Sequence, residues 1–198
     1  FYIFFSCNDD SIKKFSNKPN ILWLVAEDQS PEFFPMYGNK TISLPNLEQL
    51  TKDGIIYTNA YAPVPVCAPS RSALITGMYP STMGTHNMRT YNAYKKFNEP
   101  SINIPSYSPI VPEGVRMFTE YLRKRGYYCT NNSKEDYNFK PLANAWDESS
   151  GKAHWKNRPK GTPFFSVFNF GITHESQIWK QKNEPLLIDP DKLVVPPI

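Results

Sequence analysis

One short segment brings a cysteine, a proline and an arginine together at a spacing that suits chemistry on an anion. The segment reads Cys67-Ala68-Pro69-Ser70-Arg71 and leads into a predicted helix over residues 70–76. A helix that begins here would point its first N–H groups and its positive dipole end at an anion beside Cys67. Arg71, four residues further on, could return to the same place as a fixed positive charge.

Two adjacent carboxylates end the strongest apolar run of the chain. Residues 21–26 read Ile-Leu-Trp-Leu-Val-Ala, which predicts a central parallel strand covered on both faces, and Glu27-Asp28 follow it directly. A hard divalent cation needs several oxygen ligands, and these two carboxylates could supply a pair of them to Ca²⁺ or Mg²⁺. The alternative is a solvated strand end that holds no ion.

The order of predicted elements places further polar residues at the same edge. Strands and helices alternate, which predicts an α/β fold with a mostly parallel central sheet flanked by helices. In such sheets functional residues collect beyond the carboxyl ends of the strands, which singles out Glu27-Asp28, the segment 130–134 and His174. The predicted strands cover 21–26, 55–61, 127–130 and 164–170, the predicted helices 45–54, 70–76 and 113–125, and the predicted long loops 78–112 and 131–162.

Composition excludes several classes of protein. The 198 residues are 40% hydrophobic, 15% aromatic and 20% charged, which argues against intrinsic disorder. The net charge of +4 is too small to indicate a nucleic-acid partner, so we predict none, although it suits a small anionic substrate. The sequence contains no run of about 18 apolar residues, and no membrane-spanning helix is predicted.

The first residues resemble the end of a bacterial lipoprotein signal peptide. The chain opens without Met on the apolar run Phe1-Tyr2-Ile3-Phe4-Phe5, then reads Ser6-Cys7 and becomes polar. We therefore predict lipidation of Cys7, export to the periplasm or the outer membrane, and membrane contact only through that lipid anchor. Residues 1–18 would be the signal remnant and tether, and a frayed apolar terminus is the alternative.

The segment 67–71 matches the pattern Cys-x-Pro-Ser-Arg, which resembles the maturation signature of the formylglycine-dependent (type I) sulfatases of the alkaline-phosphatase-like superfamily. Residues 20–28, 43–47, 54–55 and 76–80 resemble further segments of that family, and 153–155 and 173–176 are most similar to bacterial heparan N-sulfatase-like enzymes. The resemblance runs from about residue 19 to residue 198. It implies an alkaline-phosphatase-like fold, with 19–198 as the N-terminal part of a catalytic domain that is incomplete at its C-terminus.

The resemblance implies a hydrolase that removes sulfate from sulfated glycans as an ester or a sulfamate. In this family a maturation enzyme oxidises the signature cysteine to formylglycine, whose hydrate attacks sulfur and later releases sulfate. Cys67 matches that cysteine, and Arg71 matches the residue that orients and stabilises it.

The same resemblance implies roles at three strand ends. Glu27 and Asp28 match ligands of a divalent cation, Ca²⁺ or alternatively Mg²⁺, although the family usually has Asp at the first position. Lys134 matches a lysine that contacts sulfate and the nucleophile. His174 matches a histidine that touches sulfate or protonates the leaving group. We expect the family's second pair of metal ligands and another lysine to lie beyond this chain, which alone would then be inactive.

The sequence leaves the roles of three other residues open. His86 could line the substrate pocket, with a structured loop as the alternative. Asp136 stands where many members of the family have histidine. Cys129 is predicted to be buried in a strand and inert, although Cys67 and Cys129 could pair in an oxidising compartment.

Two other functions also remain open. One is a phosphonate or phosphate ester hydrolase of the same superfamily, which the relative rates on an aryl sulfate and an aryl phosphonate would separate. The other is a lipoprotein that binds sulfated glycans without turnover, which predicts that Cys67 stays a thiol.

Overall fold

The fold is built on one parallel sheet. The computed structural model describes residues 18–88, 108–181, 185 and 189–192. Within these ranges four strands are ordered β1-β4-β2-β3, which confirms the predicted α/β class. The strands are β1 Ile21–Ala26, β2 Tyr128–Asn132, β3 Glu148–Ser150 and β4 Phe164–Phe170, and the helices are α1 Pro45–Asp53, α2 Cys67–Thr76, α3 Pro80–Met83, α4 Phe118–Lys124 and α5 Ser176–Gln181.

Aromatic side chains join one face of the sheet to the helices. Trp23 of β1, Phe165 of β4 and Phe118 of α4 pack with ring centroids 5.0 to 5.5 Å apart, in the tilted and edge-on arrangements that aromatic pairs prefer. Trp146 stacks on Phe165 from the loop before β3, with centroids 6.1 Å apart. Ile75 joins α2 to the same core, and this packing holds the helix against the sheet.

Phe165 lies at the centre of this cluster and is 1% exposed. We expect Phe165→Ala to lower the free energy of unfolding by about 3–5 kcal/mol, because it opens a cavity among three other rings. Ile110→Ala is the control, since its side chain is 91% exposed and its effect should stay within about 0.5 kcal/mol. Urea unfolding measures both variants, and equal losses in the two would contradict this account of the core.

The prediction that β1 is a central strand covered on both faces is wrong for the described residues. Here β1 lies at the edge of the sheet and pairs only with β4. Its side chains alternate in burial, and Leu22 and Leu24 are 48% and 57% exposed. The alternation arises because the packed helices cover the face that carries Trp23, while Leu22 and Leu24 point to the other face.

The predicted strand over residues 55–61 is also wrong. The segment forms no strand and is exposed along its whole length, with Ile55 80% and Tyr61 86% exposed. Strand propensity reflects packing on a half-buried pleated surface, and the described part of the chain offers this segment no such surface.

Helix boundaries differ from the prediction at two places. Helix α2 begins at Cys67 instead of residue 70, which places the cysteine in the first turn. Helix α4 covers only part of the predicted 113–125, because Gly114 has a φ of +82° and a turn precedes the helix. The carboxylate of Glu120 accepts a hydrogen bond from the N–H of Met117 at 3.1 Å and caps the new start.

The remaining elements follow the predictions with small changes. Strand β4 and helix α1 are confirmed, and β2 extends two residues beyond the predicted 127–130. The predicted loops contain the short helix α3 and the strand β3. Cys7, most of the 1–18 tether and residues 89–107 lie outside the described residues. No helix in the described ranges is long and apolar enough to cross a membrane.

Candidate active site

Three strand ends and one helix start meet at the carboxyl edge of the sheet. Because the strands are parallel, the residues that follow them collect on one side. Glu27 follows β1, and its N–H donates to the carbonyl of Phe170 at the end of β4 at 3.2 Å. The hydroxyl of Thr173 donates to the carbonyl of Glu27, and Lys134 lies two residues beyond β2. These contacts place the predicted residues of separate strands in one group.

Glu27 lies at the centre of this group and is 5% exposed. Its carboxylate accepts from Arg71 Nη2 at 2.5 Å through one oxygen and from Lys134 Nζ through the other. Burial opposes ionisation of Glu27, but the hydrogen bonds and charges of Lys134 and Arg71 outweigh it and lower the pKa of the carboxyl below its ordinary value. Glu27 therefore stays charged and holds two cations side by side.

Arg71 reaches this carboxylate from the second turn of α2. Its Nη2 also donates to Asn169 Oδ1 at 2.8 Å, and its Nη1 donates to the carbonyl of Lys134 at 3.3 Å. The guanidinium thus bridges a helix, β4 and the segment after β2. Sequence reasoning missed Asn169. The available signal was a single amide in the otherwise largely apolar strand β4, at a position that faces the same side as Phe165 and Val167.

The segment that carries Lys134 has an unusual backbone. Ser133, Asp136 and Asn138 all have positive φ, at 72°, 49° and 60°, and such left-handed residues cost about 1–3 kcal/mol each unless the surroundings enforce them. Lys134 Nζ lies 3.6 Å from Asp136 Oδ2 in addition to its contact with Glu27. Asp136 is therefore a second carboxylate beside Lys134.

Asp28 and His174 form a more exposed pair next to Glu27. The Asp28 side chain is 43% exposed, and its Oδ2 lies 4.0 Å from Nε2 of His174. The Nδ1 atom of His174 accepts from the N–H of Ser176 at 3.1 Å, so the proton of the neutral ring is assigned to Nε2. His174 thus presents an N–H toward the carboxylate of Asp28.

A cavity of about 460 Å³ opens beside these groups. It is lined by Glu27, Asp28, Cys67 and Arg71 together with other polar and apolar side chains, Trp23 among them. Four of the predicted residues therefore share one cavity. Lys134 and His174 join them through contacts with the two lining carboxylates.

His86 is not connected to this group by the described contacts. It is exposed and follows Thr85, whose hydroxyl is buried and lies 2.7 Å from that of Ser72 on α2. A role for His86 in substrate binding stays a prediction.

The two described cysteines lie in different environments. Cys67 is half-buried and lines the cavity, whereas Cys129 of β2 is fully buried and forms no disulfide with the described residues. Burial and the nearby carboxylate of Asp147 raise the pKa of the Cys129 thiol to about 12. The prediction that Cys129 is a buried strand residue is confirmed.

This difference predicts selective alkylation in protein that is made without a maturation enzyme. At pH 8 only about one Cys129 thiol in 10⁴ would be ionised, and burial blocks access to it as well. Iodoacetamide should therefore modify Cys67 in the folded protein and Cys129 only after unfolding in urea. Peptide mass spectrometry measures both sites, and equal modification in the folded state would contradict the placement of Cys129.

The carboxylate oxygens at this site are the type of ligand that a hard divalent cation prefers. They are too few to complete its coordination shell. Glu27 and Asp28 offer carboxylate oxygens, and a carboxylate that already accepts from Arg71 and Lys134 keeps lone pairs for a metal ion. In the described part of the chain, however, no cluster of three or more histidine, cysteine and carboxylate side chains could hold a metal ion. These two carboxylates provide about two to four of the six to eight oxygen ligands that Ca²⁺ takes.

Sequence comparisons point to one family. A family model described as Sulfatase matches residues 19–191. The chain is 51% identical over 167 residues to an ulvan-active sulfatase of Formosa agariphila. The aligned region covers 84% of this chain and 27% of that protein. It is 32% identical to the human N-acetylgalactosamine-6-sulfatase, over 67% of this chain and 25% of that protein. The chain thus spans about a quarter of the length of these curated relatives.

Structural comparisons show the same fold. BT1596, a 2-O GAG sulfatase, superposes with a TM-score of 0.63 at 17% identity, over 91% of this chain and 40% of that one. BT4656, solved with its substrate D-glucosamine-2-N,6-O-disulfate, superposes with a TM-score of 0.61 at 20% identity, over 85% and 38%. These neighbours confirm the alkaline-phosphatase-like architecture. The family match over residues 19–191, together with this fold, shows that the chain belongs to the sulfatase family.

Proposed function

We propose that the full-length gene product carrying this chain hydrolyses sulfate esters or sulfamates of glycans at the cavity beside Glu27. One observation carries the proposal: α2 brings both Cys67 and Arg71 to a cavity that also holds the two carboxylates after β1. Membership in the sulfatase family supports it, as does a relative named N-acetylgalactosamine-6-sulfatase. The resemblance to heparan N-sulfatase-like enzymes stays a prediction, because the relative at 51% identity is named for ulvan.

The cationic side chains that contact Glu27 suit a sulfate group. Arg71 and Lys134 place two positive charges side by side, and charge-assisted hydrogen bonds to an anion are about twice as strong as neutral ones. As an imidazolium, His174 would give its Nε2 proton to the leaving oxygen or nitrogen of the sugar and keep the Nδ1 proton, which the hydroxyl of Ser176 at 2.9 Å can accept. We therefore assign sulfate binding to Arg71 and Lys134 and proton transfer to His174.

We propose that a maturation enzyme converts Cys67 into formylglycine, whose hydrated aldehyde would supply the nucleophile. The position of Cys67 supports this, since it is the first residue of α2 and half-buried in the cavity. Negative charge that develops on the sulfate would lie near the helix N-terminus, where N–H groups and the helix dipole stabilise an anion.

We propose Glu27 and Asp28 as two ligands of a divalent cation, Ca²⁺ or Mg²⁺. When bound, such an ion would supply positive charge that polarises the sulfate group. The remaining ligands would come from other parts of the full-length protein or from water, so this chain by itself should be inactive. Glu27 has the longer side chain where the family usually has Asp, and its contacts with Arg71 and Lys134 fix its direction.

Export of the protein and lipidation of Cys7 belong to the same proposal. Both rest on the opening residues of the chain, which resemble a lipoprotein signal. Incorporation of labelled palmitate into the wild-type protein, and its loss in Cys7→Ser, would test them.

The decisive test of the proposed function combines one mass spectrum with one assay. Trypsin releases residues 53–71 of the protein from its native host, and we expect the aldehyde or its hydrate at position 67. Sulfate release from sulfated oligosaccharides should accompany it, and an aryl sulfate should be cleaved faster than an aryl phosphonate. An unmodified thiol with no sulfate release would support the binding-only function instead, and faster cleavage of the phosphonate would overturn the sulfatase assignment.

A further inference from the structure

A line of hydrogen-bonded side chains crosses the described sheet at its carboxyl end and ends on Arg71. Asn131 of β2 donates to Ser149 Oγ of β3 at 3.2 Å, and Asn169 of β4 donates to Asn131 Oδ1 at 3.0 Å. Arg71 donates to Asn169 Oδ1 at 2.8 Å and to Glu27 at 2.5 Å. The line therefore connects β3, β2 and β4 with the helix that carries the candidate sulfate-binding arginine.

The hydrogen-bond partners of Asn131 and Asn169 determine which way the oxygen and the NH₂ group of each side chain point. An asparagine side chain has one oxygen that accepts and one NH₂ group that donates two hydrogens. The NH₂ group of Asn131 is used by Ser149, so its oxygen faces Asn169. The NH₂ group of Asn169 is used by that oxygen and by the carbonyl of Asn132 at 2.9 Å. The oxygen of Asn169 is then left to face Arg71.

The same amide also touches the segment that carries Lys134. The Nδ2 atom of Asn169 lies 3.4 Å from the carbonyl of Lys134, and Arg71 Nη1 donates to that carbonyl at 3.3 Å. Asn169 therefore contacts one of the two cations directly and the backbone of the other. Asn131 is 1% exposed, so the line is anchored in the interior of the protein.

We propose that Asn169 is a positioning residue that aims the Arg71 guanidinium into the cavity, with Asn131 and Ser149 setting its orientation. The proposal rests on the function proposed above, because Arg71 is the group through which Asn169 would act. A neutral amide holds the guanidinium without cancelling its charge, whereas a second carboxylate beside Glu27 would neutralise it. Because Arg71 shares the single negative charge of Glu27 with Lys134, part of its positive charge then stays available to an anionic substrate.

The test uses Asn169→Ala in the full-length gene product. A misplacement of about 1 Å at a reacting centre can cost about 100-fold in rate, so we expect kcat/KM for sulfate release to fall roughly 10- to 100-fold. Asn157→Ala is the matched control, since the Asn157 amide is also hydrogen-bonded, donating to the carboxylate of Glu148 at 2.8 Å, but lies on the surface and makes no contact with Arg71. Wild-type kinetics in Asn169→Ala would overturn the proposal.

A double-mutant cycle separates positioning from a general loss of stability. If Asn169 acts through Arg71, adding Asn169→Ala to Arg71→Lys should change kcat/KM by less than about threefold. Fully additive losses would show that Asn169 acts independently of Arg71 and would overturn the proposal. Asn169→Asp keeps the side-chain volume and serves if the alanine variant does not fold; it loses both donated hydrogen bonds and adds the negative charge that would neutralise Arg71, so its kcat/KM should fall by at least the same factor.

A crystal structure of the Asn169→Ala variant provides a measurement that does not depend on turnover. Arg71 should leave the position it occupies in the wild type while Glu27 stays in place. If no sulfated substrate is hydrolysed but Arg71 moves, the proposed function fails and the positioning role stands. An unmoved Arg71 would overturn the positioning role whatever the activity.

Discussion

Cys67→Ala should abolish sulfate release by the full-length gene product, with a loss in kcat of at least about 10⁴-fold. Removal of a nucleophile that forms a covalent intermediate leaves only binding and electrostatic stabilisation, which contribute a small residual rate. The structure indicates that the loss of kcat would come from the nucleophile alone and not from a change in the fold. Position 67 is half-buried at the start of α2, and in the matured protein alanine would remove only the aldehyde oxygen, or the two hydroxyls of its hydrate, from the cavity.

Two matched variants make this result specific. Cys129→Ala makes the same replacement in the gene at a residue that is fully buried in β2 and is not among those lining the cavity, and its kcat should stay within about twofold of the wild type. Both variants should remain folded, as thermal unfolding would verify. Sulfate release by Cys67→Ala at the wild-type rate would exclude a covalent role for Cys67. The carboxylates and His174 would then become the candidates, among the described residues, for activating water.

The site residues could be predicted from the sequence because each is marked by the residues next to it in the chain. Glu27 and Asp28 follow a recognisable apolar run, and Cys67 starts a helix that proline and glycine delimit. Such signals are local, so they survive errors elsewhere in the fold. The parallel order of the strands then brought these separate segments to one edge, as the α/β pattern predicted.

What the sequence left undetermined depends on contacts between distant segments. The exposed run 55–61 has strand-forming residues but no partner strand in the described ranges, and pattern alone cannot supply one. The role of Asn169 follows from a register in which β4 lies between β1 and β2. No spacing along the chain relates Asn169 to Arg71, which lies 98 residues away.

The sequence also did not predict that the Glu27 carboxylate forms ion pairs with both Arg71 and Lys134. Glu27 alone suggested a metal ligand, whereas in the fold it is the carboxylate that holds Arg71 and Lys134 together. The two uses are compatible, because a carboxylate has about four lone-pair sites. They give Glu27 a structural contribution that is present without any metal ion.

Glu27→Gln should therefore reduce both stability and activity. The variant keeps the size of the side chain but removes the charge that Arg71 and Lys134 share, and breaking a buried ion pair costs about 3–5 kcal/mol. Because the Arg71 and Lys134 side chains are 13% and 22% exposed, we expect a loss near the lower end, about 3 kcal/mol. Sulfate release should fall at least about 100-fold, since the variant also loses a proposed cation ligand.

Urea unfolding in the presence of EDTA separates these two effects, because no metal ion then contributes to stability. The pKa of Glu27 is lowered in the folded state, so its stabilisation is fully present above the ordinary carboxyl pKa and is lost as pH falls through the lowered value. The difference between wild type and Glu27→Gln should accordingly be largest near pH 7 and shrink in acid. Glu113→Gln, at an exposed position, should show no such difference at any pH. If Glu27→Gln lost activity but kept wild-type stability in EDTA, Glu27 would serve the cation alone, and its ion pairs with Arg71 and Lys134 would contribute nothing to the fold.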